Sequence, residues 1–584
     1  MSSRIRQIAI YGKGGIGKST IASNISATLA EKGLKVFQMG CSPKIDSTSL
    51  LNRGNILEQD ILTKIRTVGA TRDGFKECIV EGYGGVLLAE SGGPEPATGC
   101  AGKGVSHALD ILARTRLLEE LRVEFVIYDV IGDVVCGGFA QPMRSGYAQE
   151  IYIASSGELM SIYSANNICI AIKELSSQGA SVRVGGLINN MRGVPKEGEL
   201  MKEFAQRLNI PILANIPRDK IVQEAEAEGG TVIEKRPDSA QAFIYRELAE
   251  NIINNTFLGI PTPLELDDIL GLLRRYQEVE RAPSPIMKPE PSIPISPLQS
   301  STASRKAANG LLRKVAFYGK GGIGKSTIAA NISTALGQMG ERVMQVGCDP
   351  KRDSLFTLFG RLMPTVLDEL RKGPMNRDSL KGVIHQGANG IWGVESGGPR
   401  PGVGCAGGGV MEALRLLEEY RIFEEYNITF ALFDVLGDVV CGGFAQPMRA
   451  GYAQEVYIIT CGEMLTLLQI NNIAKSIKKL AERGSECACA GLINNMRGLP
   501  HEEQIVEEVA ALMGLPVVMH IPRSSTVQDA ELQAKTVAEA FPDSPQAQVY
   551  KNLAQRILNN DKTYIPKPLT MEEIKSIISK YAGN

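Results

Sequence analysis

Short β-rich apolar runs alternate with helical stretches along this chain. In its first 276 residues the runs are "QIAIYG", "KVFQMG", "GVLLAE", "FVIYDV", "EIYIAS" and "GGLINN". A near-continuous apolar strand is one buried on both faces, and helices between such strands make parallel crossovers. The pattern predicts a doubly wound, mostly parallel α/β sheet. A helix over roughly Lys18–Lys32 should follow the first strand.

The same pattern is written twice. "YGKGGIGKSTIA" at Tyr11–Ala22 returns at Tyr318–Ala329, and "DVVCGGFAQPMR" at Asp133–Arg144 returns at Asp438–Arg449. "GLINNMRG" at Gly186–Gly193 returns at Gly491–Gly498. The displacement is 307 residues at the first motif and 305 at the other two, so only a small net insertion separates the copies. This is duplication of a whole domain, on a scale far above that of solenoid repeats. We expect one domain over 1–276, a linker over 277–313 and a second domain over 314–584. The linker is rich in Pro and Ser between Arg281 and Gly310 and lacks apolar periodicity. A coil of about 30 residues typically spans about 30 Å, enough for the two halves to dock as a pseudo-twofold dimer.

Composition narrows the class. The chain has 584 residues, 43% hydrophobic and 22% charged, with a formal net charge of −1. That balance gives no footprint for nucleic acid or an anionic membrane. The opening "MSSRIRQIAIYG" runs straight into a strand and has no signal-peptide pattern. No apolar run is long enough to span a bilayer. A cytoplasmic location is expected, where 11 cysteines speak for metal or redox chemistry, or for plain buried thiols, rather than disulfides.

"GKGGIGKS" occurs at Gly12–Ser19 and Gly319–Ser326 and fits the phosphate-binding P-loop. Gly12, Gly14, Gly15 and Gly17, with Gly319, Gly321, Gly322 and Gly324, free the backbone N–H groups to close around phosphates at a helix N-terminus. Lys18 and Lys325 should reach the β- and γ-phosphates; Ser19 and Ser326 should bind Mg²⁺, with Thr20 and Thr327 beside them. Lys13 and Lys320 resemble the extra lysine of dimeric P-loop ATPases, which crosses to the partner's nucleotide. Asp129 and Asp434 end a strand where a Walker-B acid helps hold Mg²⁺. Asp46 and Asp353 suit a switch near the γ-phosphate. Asp133 and Asp438 lie four residues past the strand-end acid. Turn or capping roles are the plain alternative for any of these aspartates.

Each copy also carries two cysteines in glycine-rich surroundings, Cys100 with Cys136 and Cys405 with Cys441. Two thiolates do not complete a common iron–sulfur cluster, which takes four; two halves supply four. Buried core thiols remain the alternative from spacing alone. The other cysteines, Cys41, Cys78, Cys169, Cys348, Cys461, Cys487 and Cys489, are expected to be structural.

Taken together, "YGKGGIGKST", "GCDPKRDS", "ESGGPRPGVGCAG" and "DVLGDVVCGGFAQPMR" closely resemble the nitrogenase iron protein family, across both halves. The resemblance implies two MgATP sites, with ADP as product, and one bridging [4Fe–4S] cluster held by Cys100, Cys136, Cys405 and Cys441. It implies that Asn190 and Asn495 contact the base. Pro217 to Gln223, including Asp219, and Pro522 to Gln528 should lie beside it, with Phe139 and Phe444 near the cluster. It further implies an ATP-dependent reductase fed by ferredoxin or flavodoxin and passing electrons to a nitrogenase-like catalytic partner. The fused pair should act as a monomeric pseudo-dimer, with a domain-swapped dimer as the other arrangement.

Two departures bear on function. Ser42 stands where the second copy has Asp349, and Asp219 pairs with Ser524, so the nucleotide sites should be unequal. The family usually carries an arginine three residues after the first ligand cysteine; here Lys103 and Gly408 occupy those positions. The docking face is therefore altered, and an ordinary dinitrogenase is not the expected partner. The competing readings are an iron–sulfur or metal carrier or assembly ATPase, and a regulatory ATPase with a structural cluster.

Overall fold

The computed structural model describes residues 5–93, 101–130, 132, 140–144, 146–277, 312–350, 352–387, 390–398, 406–436, 446–449 and 451–582. Half one contains β1 (Arg6–Gly12), β2 (Val36–Cys41), β3 (Val80–Glu81), β4 (Leu87–Glu90), β5 (Phe125–Val130), β6 (Glu150–Ser155), β7 (Arg183–Asn190) and β8 (Ile212–Ile216). Half two repeats them as β9 (Arg313–Gly319), β10 (Val343–Cys348), β11 (Ile384–Gln386), β12 (Trp392–Glu395), β13 (Phe430–Val435), β14 (Glu455–Thr460), β15 (Ala488–Asn495) and β16 (Val517–Ile521). The strand orders are β3-β4-β2-β5-β1-β6-β7-β8 and β11-β12-β10-β13-β9-β14-β15-β16. All pairings within these sheets are parallel except β3 with β4 and β11 with β12. This is the predicted α/β class, built twice.

The central strands are apolar because both faces are covered. Every residue of β2 and of β5 is buried. On one face of the first sheet, Ile8, Ile10 and Ile127 meet Ile21, Ile25 and Leu29 of the Lys18–Glu31 helix, and Leu248 and Ile252 of the Ala240–Ile253 helix. The opposite face packs Ala9, Tyr11 and Met39 against Leu109, Ile168 and Ile172. That second cluster is continuous with the corresponding face of half two, including Ala316, Tyr318 and Val346.

The predicted first helix stops at Glu31, and Lys32 is its C-cap. β8 and the two-residue β3 were not among the expected strands; both lie at sheet edges, where apolar demand is low. Among the described residues, no helix is long and apolar enough to cross a membrane.

Candidate functional site

β1 lies between β5 and β6, with Ile10 paired to Asp129, so the glycine-rich loop leaves the sheet's centre beside that acid. Phe317 and Asp434 repeat the arrangement. Gly17 has φ 97° and Gly324 has φ 98°, the left-handed region that favours glycine. A Cβ there would lie 2.6 Å from the amide nitrogen of Asn190 or Asn495. Those amides donate to Ile16 O and Ile323 O, at 2.6 Å in each half, and so hold the loop from behind. Lys18 and Lys325 are buried. Lys18 Nζ donates to Gly12 O at 3.0 Å and Lys13 O at 3.1 Å; Lys325 Nζ donates to Lys320 O at 3.2 Å.

The strand-end acids sit against the loop serines. Asp129 Oδ2 accepts from Ser19 Oγ at 2.6 Å and from Ser47 Oγ at 2.5 Å. Burial pushes its carboxyl up from the ordinary range, opposed first by Lys18. Asp434 is raised by burial in the same way and opposed by Lys325, Ser326 and Ser354. Its Oδ2 is buried without a hydrogen-bond partner among the described residues, as is Asp353 Oδ1. Two unpaired carboxylate oxygens near a P-loop serine form an all-oxygen donor set, the chemistry that suits Mg²⁺. Asp349 is buried in half two; Ser42, in its place, accepts from Lys44 N at 3.2 Å. Asp46 acts electrostatically on both Asp129 and Glu90.

The two loops face one another. A Cβ on Gly14 would lie 3.6 Å from Gly321 Cα, and one on Gly322 would lie 2.7 Å from Gly14 O. Reciprocal contact of the same surface is the mark of a twofold interface. Lys13 lies 3.9 Å from Glu158 and also acts on Glu531 of half two. Lys320 lies 3.8 Å from Glu463 and also acts on Glu226 of half one. Glu226 and Glu531 accept at 2.6 Å from Thr20 and Thr327, the threonines that follow the P-loop serines. Each early lysine is thus within electrostatic reach of an acid at the other half's loop. Between the loops is a cavity of about 160 Å³. Its lining includes Lys13, Lys320, Gln223, Arg192, Arg218, Arg497 and Arg523. Arg192 Nη2 donates to Gly15 O at 2.7 Å, and Arg497 Nη2 donates to Gly322 O at 2.5 Å. Burial lowers the Arg192 pKa, countered by Glu158.

Beside this interface, Asp219 caps the Lys220–Ala227 helix, accepting from Ile221 N at 2.9 Å. Ser524 caps the matching helix through Thr526 N, so the exchange keeps the cap while removing a charge. Pro217 O accepts from Gln241 at 3.4 Å; Pro522 and Gln528 are exposed. Deeper in each half, Glu90 and Glu395 tie the switch segments to the sheet. Glu90 Oε1 accepts from Thr48 N and Thr48 Oγ1, both at 2.8 Å; Glu395 Oε1 accepts from Leu355 N at 2.8 Å.

Arg192, Arg497, Glu226, Glu531, Glu90 and Glu395 are the residues that sequence reasoning missed. The arginines lie inside the repeated "GLINNMRG", and Glu90 and Glu395 open the repeated "ESGGP", so both offered a signal; Glu226 and Glu531 sit in less similar stretches.

Cys100, Cys136, Cys405, Cys441, Asp133, Asp438, Phe139 and Phe444 lie outside the described residues. Cys100 and Cys405 immediately precede, in sequence, the helices Ala101–Thr115 and Ala406–Glu419, whose first turns expose Lys103 and Gly408. The other seven cysteines are free and buried, as structural thiols should be. The described residues contain no cluster of three or more His, Cys, Asp or Glu that could hold a metal ion.

Both halves match one family model, described as 4Fe-4S iron sulfur cluster binding proteins, NifH/frxC family, over residues 6–279 and 313–584. The chain is 49% identical over 273 residues to a nitrogenase iron protein of Methanospirillum hungatei, covering 47% of this chain and 96% of that one. It is 47% identical over 271 residues to nitrogenase iron protein 2 of Methanothermobacter thermautotrophicus, covering 46% and 98%. A solved structure of the cell division ATPase MinD from Pyrococcus furiosus is 19% identical with a TM-score of 0.34, covering 43% of this chain and 99% of that one. With a family match on each side of the linker and two facing P-loops between them, the chain belongs to the NifH/frxC family of 4Fe-4S iron sulfur cluster binding proteins, as a tandem fusion of two family units.

Proposed function

We propose that this protein is an ATP-dependent reductase component that passes low-potential electrons from one bridging [4Fe–4S] cluster to a nitrogenase-like catalytic partner. The observation that carries this reading is the facing pair of P-loops, each with its early lysine within electrostatic reach of an acid at the opposite loop. The working unit is the fused pair, with domains over 1–276 and 314–584 joined by 277–313. Cys100, Cys136, Cys405 and Cys441 would hold the cluster, which when bound supplies one-electron transfer. Ferredoxin or flavodoxin would reduce it.

Each nucleotide would lie with its phosphates over Gly12–Ser19 or Gly319–Ser326. Lys18 and Lys325 would turn from the loop carbonyls to the β- and γ-phosphates. Ser19 with Asp129, and Ser326 with Asp434, would hold Mg²⁺, and Asp46 and Asp353 would sense the γ-phosphate. The cavity of about 160 Å³ between the loops is smaller than the roughly 300–1,000 Å³ of small-molecule sites, so a nucleotide shared across this face would need the halves to part. Loss of the γ-phosphate would then release segments held by that phosphate. Lys103 and Gly408 favour a partner whose docking face differs from that of an ordinary dinitrogenase.

Anaerobic reconstitution tests the reading. The expected result is four irons per chain, a reduced-cluster EPR signal, and electron transfer to an acceptor only with MgATP. Iron retained through turnover marks a reductase. Iron passed to an apo-acceptor would replace it with the carrier reading.

A further inference from the structure

The two switch segments are braced differently. In half two, Arg352 has a left-handed backbone, φ 63°, and its guanidinium grips Asp368 with both nitrogens. Nη1 lies 2.7 Å from Oδ2 and Nη2 lies 2.9 Å from Oδ1. Arg371 also pairs with Asp368, at 2.6 Å, and donates to Gly398 O. Arg352, next to Asp353, is thereby strapped to the Val366–Leu370 helix and on to the end of the β12 connection. In half one the same left-handed position is Ile45, φ 52°, which carries no charge. The Asp368 position, third in the helix beginning at Ile61, is Thr63, which donates instead to Asp60 at 2.7 Å. Arg66 keeps the outer link, to Gly93 O at 2.8 Å, while the Ile45 side chain cannot pair with it as Arg352 and Arg371 share Asp368. Both halves secure the segment further along, through Thr48 on Glu90 and Leu355 on Glu395.

A second difference comes from across the interface. Tyr163 lies on the Leu159–Ser177 helix of half one, one turn beyond the cavity-lining Glu158. Burial pushes its phenol up, opposed first by its hydrogen bond with Asn167 on the same helix; Arg352, Asp353 and Glu395 of half two act on it electrostatically. The matching position on the Met464–Ala481 helix of half two is Leu468, which offers half one no polar group. Arg352 and Asp368 thus brace half two's switch, with Tyr163 within electrostatic reach of it, while Ile45, Thr63 and Leu468 mark half one.

We propose that Arg352 is a positioning residue that holds the neighbouring Asp353 ready for a γ-phosphate, so that half two is the site that distinguishes ATP from ADP. This rests on the nucleotide-binding reading above. A bidentate guanidinium–carboxylate pair suits this task because it fixes orientation as well as distance, which a lysine cannot reproduce.

The test uses the full chain with one P-loop silenced at a time. In a Lys18→Ala chain, nucleotide titration reports half two; in a Lys325→Ala chain, it reports half one. The quantity read is the affinity for Mg-ATPγS divided by that for MgADP. At half two, Arg352→Ile should lower this ratio about three- to tenfold, with Arg352→Lys falling between wild type and Ile. Neither substitution should move the half-one ratio, and Ile45→Arg with Thr63→Asp should raise it. The chain's one tryptophan, Trp392, is on β12 three residues before Glu395 and gives a native optical signal. Its emission should respond to Mg-ATPγS at half two in the Arg352→Lys chain and not in the Arg352→Ile chain. Unchanged half-two ratios, or equal shifts in both halves, would overturn the proposal. Absence of nucleotide binding at either half would instead overturn the reading beneath it.

Discussion

Half one and half two share a sheet order, a P-loop and a strand-end acid, yet differ where the γ-phosphate would be sensed. Half one has Ser42, Ile45 and a strand-end acid whose Oδ2 takes two serine hydroxyls. Half two has Asp349 and a strapped Arg352; its strand-end acid is likewise hydrogen-bonded by Ser326 and Ser354, but among the described residues one oxygen each of Asp434 and Asp353 is buried without a partner. A homodimer cannot make this separation, because one gene writes both sites. Fusion lets the scaffold stay duplicated while the sites diverge. The strongest way to break the comparison is to silence each P-loop in turn. Lys18→Ala and Lys325→Ala should each cut hydrolysis at their own half by about 10²–10³-fold, the scale of losing a preorganised charge at a transferring phosphate. Single-turnover measurements should then show Lys325→Ala removing the larger share of the wild-type burst. Equal residual bursts would mean that the two sites hydrolyse alike.

The next largest effect should be symmetric. Gly40 and Gly347 pass directly over buried carboxylates: a Cβ would lie 1.8 Å from Glu90 Oε2 and 1.9 Å from Glu395 Oε2. These oxygens belong to side chains with no exposed surface, so neither can swing into water. Gly40→Ala and Gly347→Ala should each destabilise their half by about 1–3 kcal/mol, the usual cost of overpacking a core. Calorimetry should register similar losses. A large inequality would show that the divergence of the halves reaches the sheet itself.

The duplicated scaffold was legible because its signals are local. Apolar runs such as "FVIYDV" are buried throughout, and the P-loop announces the helix that follows it. β3 and β11 escaped notice because two or three residues at a sheet edge need no apolar pattern. The motif residues of the site could also be read, since glycine spacing and strand-end acids follow the chain. Arg352 and Asp368 could not be read as a pair: they lie sixteen residues apart with the short Phe356–Phe359 helix and turns between them, and no periodicity links them. Tyr163 was harder still, because its partners depend on how the halves dock. What one chain segment does to another across an interface leaves no spacing rule in the sequence.

A finer test compares the buried glutamates by pH. Burial raises both Glu90 and Glu395 well above the ordinary range. A carboxyl raised on folding holds its proton better in the folded chain. Its contribution to stability is complete below the ordinary glutamate range and is lost as pH rises through the raised value. Glu90→Gln and Glu395→Gln remain neutral and should flatten that decline. Glu90 has two donors to help it carry charge, whereas Glu395 has one. The flattening should therefore be greater for Glu395→Gln. Urea midpoints between about pH 5 and 9 would rank the two, and equal slopes would contradict the difference in donors.

The smallest expected effect concerns a contact that also joins the halves. Lys575 Nζ, on the Met571–Ala582 helix of half two, donates to Asn55 Oδ1 of half one at 2.5 Å. The matching Leu266–Gln277 helix places Leu270 where half two has Lys575, so the contact has no reciprocal. It therefore looks like another mark of divergence, but its physics differs from that of Arg352. Both partners are exposed, one is neutral, and a lysine must give up side-chain freedom to hold the geometry. Exposed polar pairs of this kind are worth about 0–1 kcal/mol. Lys575→Ala should shift the melting midpoint little and leave the half-two ATP/ADP ratio untouched, whereas Arg352→Ile should do the reverse. If Lys575→Ala altered that ratio, sensing would depend on how the halves are held at their rim, and the strap at Asp368 would no longer distinguish them.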